Sequence, residues 1–477
     1  MEVIADLHLH SKYSRAVSKK MEPEILGQWA ARKGIDLVAT GDWTHPLWLK
    51  ELESKLEEAE KGIFRLKGLA DFSSRLNRRM NAVIPNQKLQ NSPPQFILST
   101  EISSIYSQGG KTRKIHNLIL APSFETVRQI NQALKAASCN LMSDGRPIIG
   151  LSSVQLAELV WGIDKDCLII PAHCWTPWFA MFGSKSGFDS IKECWGKYAE
   201  KIYAVETGLS SDPAMNWRIK ELDSRTIVSF SDAHSPSRLG REATVFELED
   251  LSFTNISEAL KSRGKQLNHF HPESDCSLGR ASQPLSNRIL YTIEFYPQEG
   301  KYHYTGHRKC GVCHSPAETK SKGEICPVCG KPLTLGVMHR VEKLAGRPEA
   351  KPLLKINGQG LAGYYCQRDP QRPPYIMLVP LVEIISECLG FGKTSKKVEN
   401  EYNNLTEQLG SELEILTQIK TEDIRRLAGE KIAGGVAKVR KGEIKIEPGF
   451  DGVFGNVTIW KENPAKINQQ TKQETLF

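Results

Sequence analysis

The run Asp6-Leu7-His8-Leu9-His10 is the first place where this sequence could do chemistry. Successive side chains of a strand point to opposite faces, so His8 and His10 project together and can grip one metal ion. Other ligand-type residues recur just past runs that read as strands: Glu101 after 96–100, His173 after 167–172, Asp232 and His234 after 226–231, and Asp42 and His45 after 36–39. His116 stands at the start of a further strand, where a suitable pairing direction brings it to the same rim. Imidazole mixed with carboxylate and no thiolate favours Zn, Mn or Fe, and a carboxylate such as Glu101 can bridge two ions. Clustered ions acidify water and clamp the attacking and leaving oxygens of a phosphate ester, so phosphoester hydrolysis is the natural chemistry. Plainer readings exist residue by residue: His45 as a surface side chain, Glu206 as a salt-bridged core acid.

A second constellation is Cys310-x2-Cys313 with Cys326-x2-Cys329, the spacing of a structural zinc site made of four thiolates. Four thiolates leave no open position, so this ion is expected to be structural, with His307 and His314 as bystanders or phosphate contacts. Cys139, Cys167 and Cys388 sit among apolar residues and read as inert core positions.

The elements that must position these residues alternate up to about residue 265. Strand-like runs at 3–9, 36–39, 96–100, 117–121, 167–171, 202–205 and 226–229 are separated by helical runs at 22–33, 47–60, 125–137, 153–161 and 214–223. That pattern predicts an α/β fold, a parallel barrel-like sheet whose catalytic face lies at the strand C-termini. Residues 61–90, rich in Lys and Arg, read as a basic insertion. Residues 266–345 read as a linker plus the zinc module, and 346–460 as a Gly/Pro-rich connector and a mainly helical domain. In that last part Val398, Tyr402, Leu405, Leu409, Leu413 and Leu416 form the stripe of an amphipathic helix. Residues 461–477 read as a flexible polar tail.

With 477 residues, 40% hydrophobic and 25% charged, the chain has material for about three domains and is neither wholly disordered nor a small disulfide scaffold. A net charge of +8 is compatible with a nucleic-acid partner. No apolar run is long enough to span a membrane and no signal segment is visible, so a soluble, cytoplasmic, nucleoid-associated protein is expected. Aromatic side chains near the presumed site, Trp43, Trp48, Trp175, Trp178, Phe179 and Phe182, could stack on bases or simply pack. Tyr302, Tyr304, Tyr364 and Tyr365 interleave with Lys301, Arg308, Lys309 and Arg368, and Arg425, Arg426, Lys431, Lys438, Arg440 and Lys441 are candidate phosphate contacts.

The set Asp6-x-His8-x-His10-Ser11, Gly34-Ile35-Asp36, Gly41-Asp42, Thr100-Glu101, His116, Pro171-Ala172-His173 and Ser231-Asp232-Ala233-His234 resembles the PHP (polymerase and histidinol phosphatase) domain over about the first 265 residues. The resemblance implies a distorted (β/α)7 barrel with two or three divalent ions (Zn, Mn, Mg or Fe), and Asp232, Glu101 and His173 as catalytic residues. By the same resemblance His8, His10, Glu101 and Asp232 would hold one ion, and Glu101, His116 and His173 a second. Where the family has Thr-Asp-His this sequence reads Gly41-Asp42-Trp43, so Asp42 with His45 and His234 stand as substitutes at a third. A PHP domain followed by a four-cysteine module and a helical part is similar to endonuclease Q. That resemblance implies a DNA-repair endonuclease cutting 5′ to deaminated bases (uracil, hypoxanthine, xanthine) and abasic sites. The terminal Gln473-x-x-Leu476-Phe477 resembles a peptide that docks on the sliding clamp. Two other readings are a phosphatase of small phosphomonoesters and a non-catalytic, clamp-tethered DNA-binding protein.

Overall fold

The computed structural model describes residues 1–68, 93–262 and 287–460. Most of the expected basic insertion, the linker up to 286, and the tail with Gln473, Leu476 and Phe477 lie outside the described residues.

The chain opens with β1 (Glu2–Asp6), whose Val3 and Ala5 face one apolar cluster while Ile4 packs against another. Both faces are covered, as a strand in a parallel region requires. The helix Pro23–Lys33 starts on a proline and stops at Gly34, whose φ of 85° is the left-handed conformation that ends helices cheaply. It returns the chain to β2 (Leu37–Ala39), parallel to β1. The next helix spans only Pro46–Lys55, and the rest of the stretch expected to be helical, Leu56–Glu60, is β3. With β4 (Ile63–Leu66) it forms an antiparallel hairpin against β5 (Gln95–Gln108), so the start of the expected insertion belongs to the sheet. Charged residues of helical propensity lose here to pairing with a sheet edge.

β5 lies parallel to β2, then continues antiparallel to β6 (Lys111–Ala121) through Gly109-Gly110, both at positive φ. The run at 117–121 is therefore not reached by the expected crossover. β7 (Ile148–Ile149) pairs with β5 and β8 (Leu168–Pro171) with β6. β9 (Ala204–Glu206) and β10 (Thr226–Val228) form a separate parallel pair. Backbone hydrogen bonds tie that pair to its neighbours: Cys174 N donates to Glu206 O at 3.1 Å and His10 N to Ala233 O at 3.1 Å. The seven expected strands thus fall into two sheets.

The large sheet crosses residue 265. β11 (Ala243–Glu247) sits between β1 and β12 (Arg288–Glu294), both antiparallel to it. After a small hairpin of β13 (Thr305–His307) and β14 (Val312–His314), the expected connector supplies β15 (Leu353–Ile356) and β16 (Ala362–Tyr365). β17 (Tyr375–Met377) joins these to β12, completing a thirteen-stranded mixed sheet among the described residues. The fold is mixed α/β.

Beyond it the helices Leu381–Leu389, Lys396–Gln408, Glu412–Thr417 and Thr421–Lys441 pack together, followed by the hairpin of β18 (Lys445–Glu447) and β19 (Asn456–Thr458). The single helix expected through Leu416 is two helices, because Gly410 adopts a φ of 113° and Ser411 with Glu414 forms a capping box that starts a new one. Val398, Tyr402, Leu405, Leu413 and Leu416 are nonetheless buried. No helix among the described residues is long and apolar enough to cross a membrane.

Candidate metal centre

Glu101, fully buried inside β5, is the hub. Its Oε1 lies 2.8 Å from His116 Nδ1, 3.0 Å from His173 Nε2 and 3.7 Å from His8 Nε2, and its Oε2 lies 3.3 Å from His10 Nε2. Asp232 Oδ1 approaches His10 Nε2 at 3.2 Å, His8 Nε2 at 3.8 Å and His234 Nδ1 at 3.6 Å. Three overlapping groups result, His8–His10–Glu101, His10–Asp232–His234 and Glu101–His116–His173, each with ligand atoms within 4.8 Å of one another. His116 lies midway along β6 rather than at its start; β6 runs antiparallel to β8 and extends beyond its end, so His116 stands beside the residue just past β8: Ala172 N donates to His116 O at 3.1 Å.

His8 Nε2, His10 Nε2 and Asp232 Oδ1 are buried with no hydrogen-bond partner. An unpaired buried polar group costs about 1–3 kcal/mol, so three converging on one space fit divalent cations. A second layer aims the two imidazoles. Glu206 accepts from His8 Nδ1 at 2.9 and 3.0 Å and from the His173 amide at 2.7 Å. With Nδ1–H held there, His8 presents the Nε2 lone pair to the cluster. Asp42 does the same for His10, whose Nδ1 lies 3.0 Å from its Oδ1, while its Oδ2 accepts from Ser11 N, Ser11 Oγ and Ser14 Oγ at 2.6–2.8 Å.

Electrostatics follow the contacts. Burial alone would raise the Glu101 carboxyl, but His116, Arg146 and His10 hold it well below the usual carboxylate range. Burial opposes a charge on His8, yet Glu206, Glu101 and Asp232 lift it to about 9, so a cation binding there displaces a proton. Asp42, His173 and Asp232 have positive φ values of 47°, 30° and 47°. Non-glycine residues in that region store strain of order 1 kcal/mol each and cluster at working sites. Gly208 makes room for this geometry, because a Cβ there would lie 2.3 Å from His173 Cβ.

A family model described as the MJ0043 C-terminal domain matches residues 380–443. The uncharacterized protein MJ0043 of Methanocaldococcus jannaschii is 30% identical over 306 residues, 64% of this chain but only 33% of that longer protein. Among solved structures, the lesion-specific endonuclease PfuEndoQ of Pyrococcus furiosus superposes with a TM-score of 0.73 at 30% identity, covering 98% of this chain and 99% of that one. The chain belongs to the endonuclease Q family. An endonuclease Q bound to a 27-mer duplex with an abasic lesion at its active site is equally similar, with a TM-score of 0.74, 31% identity, and 98% and 100% coverage.

In this endonuclease Q family member the expected ligand set separates into two classes. His8, His10, Glu101, His116, His173, Asp232 and His234 converge. Asp42 stands behind His10 with both oxygens committed, and His45 lies outside the ligand groups, its ring stacked on Tyr13 at 4.4 Å. Of the two histidines expected to stand in for the one missing at Trp43, His234 joins a ligand group and His45 does not. Two contributors escaped the sequence reading: Arg146, whose Nη1 donates to Glu101 Oε2 at 3.0 Å, and Glu206 in its supporting role. Glu206 carried a usable signal, since like the ligands it ends a strand.

The cysteine module also departs from expectation. His307, Cys310, Cys326 and Cys329 gather into one group, and Cys313 is exposed outside it. In the β13–β14 pair Gly306 faces Cys313 and His307 faces Val312, so strand alternation turns Cys313 to the side opposite His307. Of the site aromatics, Trp43, Trp48, Trp175 and Phe182 are fully buried core, and Phe179 covers His116. Trp178 is exposed, meeting Tyr302 edge-on at 5.5 Å. Arg440 is no phosphate contact: it is buried and donates to four backbone carbonyls.

Proposed function

We propose that the chain is a metal-dependent DNA endonuclease that hydrolyses the phosphodiester on the 5′ side of deaminated bases (uracil, hypoxanthine, xanthine) and abasic sites. The observation that carries this reading is the convergence of unpaired ligand atoms on Glu101, in a chain alike over 98% of its length to an endonuclease Q bound to abasic duplex DNA. His8, His10, Glu101 and Asp232 would hold one divalent ion, Glu101, His116 and His173 a second, and His10, Asp232 and His234 a third. Such ions supply positive charge for an attacked phosphate and acidify water.

The chain's own residues do the rest. Glu206 and Asp42 fix the ring orientations of His8 and His10, which removes reorganisation from the chemical step. Glu101 is sealed from solvent, whereas the Asp232 side chain is 23% exposed and so is the carboxylate that could take the proton of an attacking water. Trp178, exposed and next in sequence to the Phe179 that covers His116, meets the half-buried Tyr302 and offers ring surface for an unstacked nucleotide. A structural zinc would sit at His307, Cys310, Cys326 and Cys329.

End-labelled duplexes bearing one uracil, hypoxanthine or abasic site test the proposal, with Mg, Mn and Zn each supplied. The expected result is a single nick just 5′ of the lesion that Asp232→Asn abolishes while DNA binding persists. Intact lesion duplexes under every metal, with turnover of a small phosphomonoester instead, would overturn it.

A further inference from the structure

Arg146 occupies a place at the centre that no ligand role explains. It lies in Ser143-Asp144-Gly145-Arg146-Pro147, a loop fixed on three sides: Gly145 N donates to Tyr13 O at 3.1 Å, Thr44 Oγ1 donates to Gly145 O at 3.2 Å, and Ser103 N donates to Pro147 O at 3.0 Å. Gly145 presses so closely on the Asp42 support that a Cβ there would lie 2.3 Å from Asp42 Oδ2. The loop therefore holds the Arg146 backbone in register with the ligand cluster rather than leaving it to swing.

From this anchor the side chain, 26% exposed, reaches to the sealed floor of the centre, where Nη1 donates to Glu101 Oε2 at 3.0 Å. That oxygen also lies 3.3 Å from His10 Nε2, so the arginine shares an acceptor with a ligand pair. Among the described residues Glu101 is the one hydrogen-bond partner of the guanidinium. A guanidinium has five N–H donors in a planar fork and stays charged at any working pH, so most of its donor capacity is uncommitted. A cation held by Glu101 would place two positive groups on one carboxylate, an arrangement that an anion bound across both relieves. The two non-bridging oxygens of a phosphodiester match the arginine fork in geometry and charge.

We propose that Arg146 is a catalytic residue that grips the non-bridging oxygens of the scissile phosphate, giving the centre a permanent anion-binding arm in addition to its ions. This rests on the endonuclease reading above. The alternative is a pillar that only fixes Glu101, and the two differ in what they do to metal and to phosphate.

The test compares wild type, Arg146→Ala and Arg146→Lys in the full-length, metal-loaded protein. Metal content is read by mass spectrometry, inorganic phosphate binding by calorimetry, and single-turnover nicking on an abasic duplex. We expect unchanged metal content in both variants, phosphate binding weakened about tenfold or more in Arg146→Ala, and nicking slowed about 100-fold or more, the scale seen when one donor to a developing anion is removed. Arg146→Lys should be intermediate, and added methylguanidine should restore part of the Arg146→Ala rate. Loss of metal from Arg146→Ala, or phosphate binding equal to wild type, would overturn the proposal. If wild type fails to nick, the endonuclease reading falls, and the phosphate comparison still decides the role of Arg146.

Discussion

Replacing Glu206 by glutamine isolates the support beneath the metal centre without changing side-chain volume. In the native protein Oε1 takes the His8 Nδ1–H at 2.9 Å, and Oε2 takes both the same N–H at 3.0 Å and the His173 amide at 2.7 Å. A carboxamide has one acceptor. If its oxygen keeps the His173 amide, its NH2 faces His8 Nδ1, and two donors confront each other. The cheapest relief is for His8 to lose its Nδ1 proton and keep the one on Nε2, the atom that must carry a lone pair for a ligand. Outer partners of metal-bound histidines contribute 10- to 100-fold to affinity, about 1.4 to 2.7 kcal/mol. Glu206→Gln should therefore weaken metal binding by that factor in a chelator-competition titration. Affinity within twofold of wild type would refute the reasoning, because Glu206 would then be a core acid with no hold on the tautomer.

Three further outcomes follow from features away from the ligands. Glu242 and Glu294 are buried, and burial raises both carboxyls, helped by the charge of Glu294 at Glu242 and of Asp212 at Glu294, so the folded state holds protons that the unfolded chain releases. Stability should then fall as pH rises from the ordinary carboxyl range towards alkaline values, by up to about 1.4 kcal/mol per unit per proton, and Glu242→Gln should flatten urea midpoints between pH 5.5 and 8.5. Arg440→Met leaves the carbonyls of Leu416, Ile415, Ile419 and Gln359 without their donor. It should cost about 3 kcal/mol in denaturant titration, with faster amide exchange at 411–441 and wild-type metal content. Cys313→Ser should retain bound zinc whereas Cys326→Ser loses it, since His307 stands with the other three cysteines; equal zinc loss in both would restore the four-thiolate site.

Much of the centre was legible because ligand-type residues at strand ends obey a local rule, and the chain repeats it. His8, His173 and Asp232 follow it, just past β1, β8 and β10, whereas Glu101 and His116 lie inside β5 and β6, which run on through the rim. What escaped depends on pairings between distant segments. Arg146 meets Glu101 from a loop 45 residues on, and nothing in its neighbours announces the contact. Asp42 passes for a ligand by position, yet Ser11 and Ser14 absorb its second oxygen. The stretch 56–60 has helical composition and is nevertheless a strand, because β4 offers it a partner across Gly62. Cys313 has the spacing of a ligand, and the alternation of a short hairpin turns it aside.

The sheet that continues from β11 into β12 bears on how the two halves of the chain can be separated. Ala243, Val245 and Phe246 of β11 are fully buried, with β1 on one side and β12 on the other. A protein cut after residue 262 would carry those residues on a bare edge, a template for pairing with another copy. The later half is thus spliced into the metal-bearing half rather than strung behind it, and truncation would report on aggregation instead of division of labour. Point substitutions that leave the β11–β12 ladder whole are the way to ask which half recognises and which half cuts.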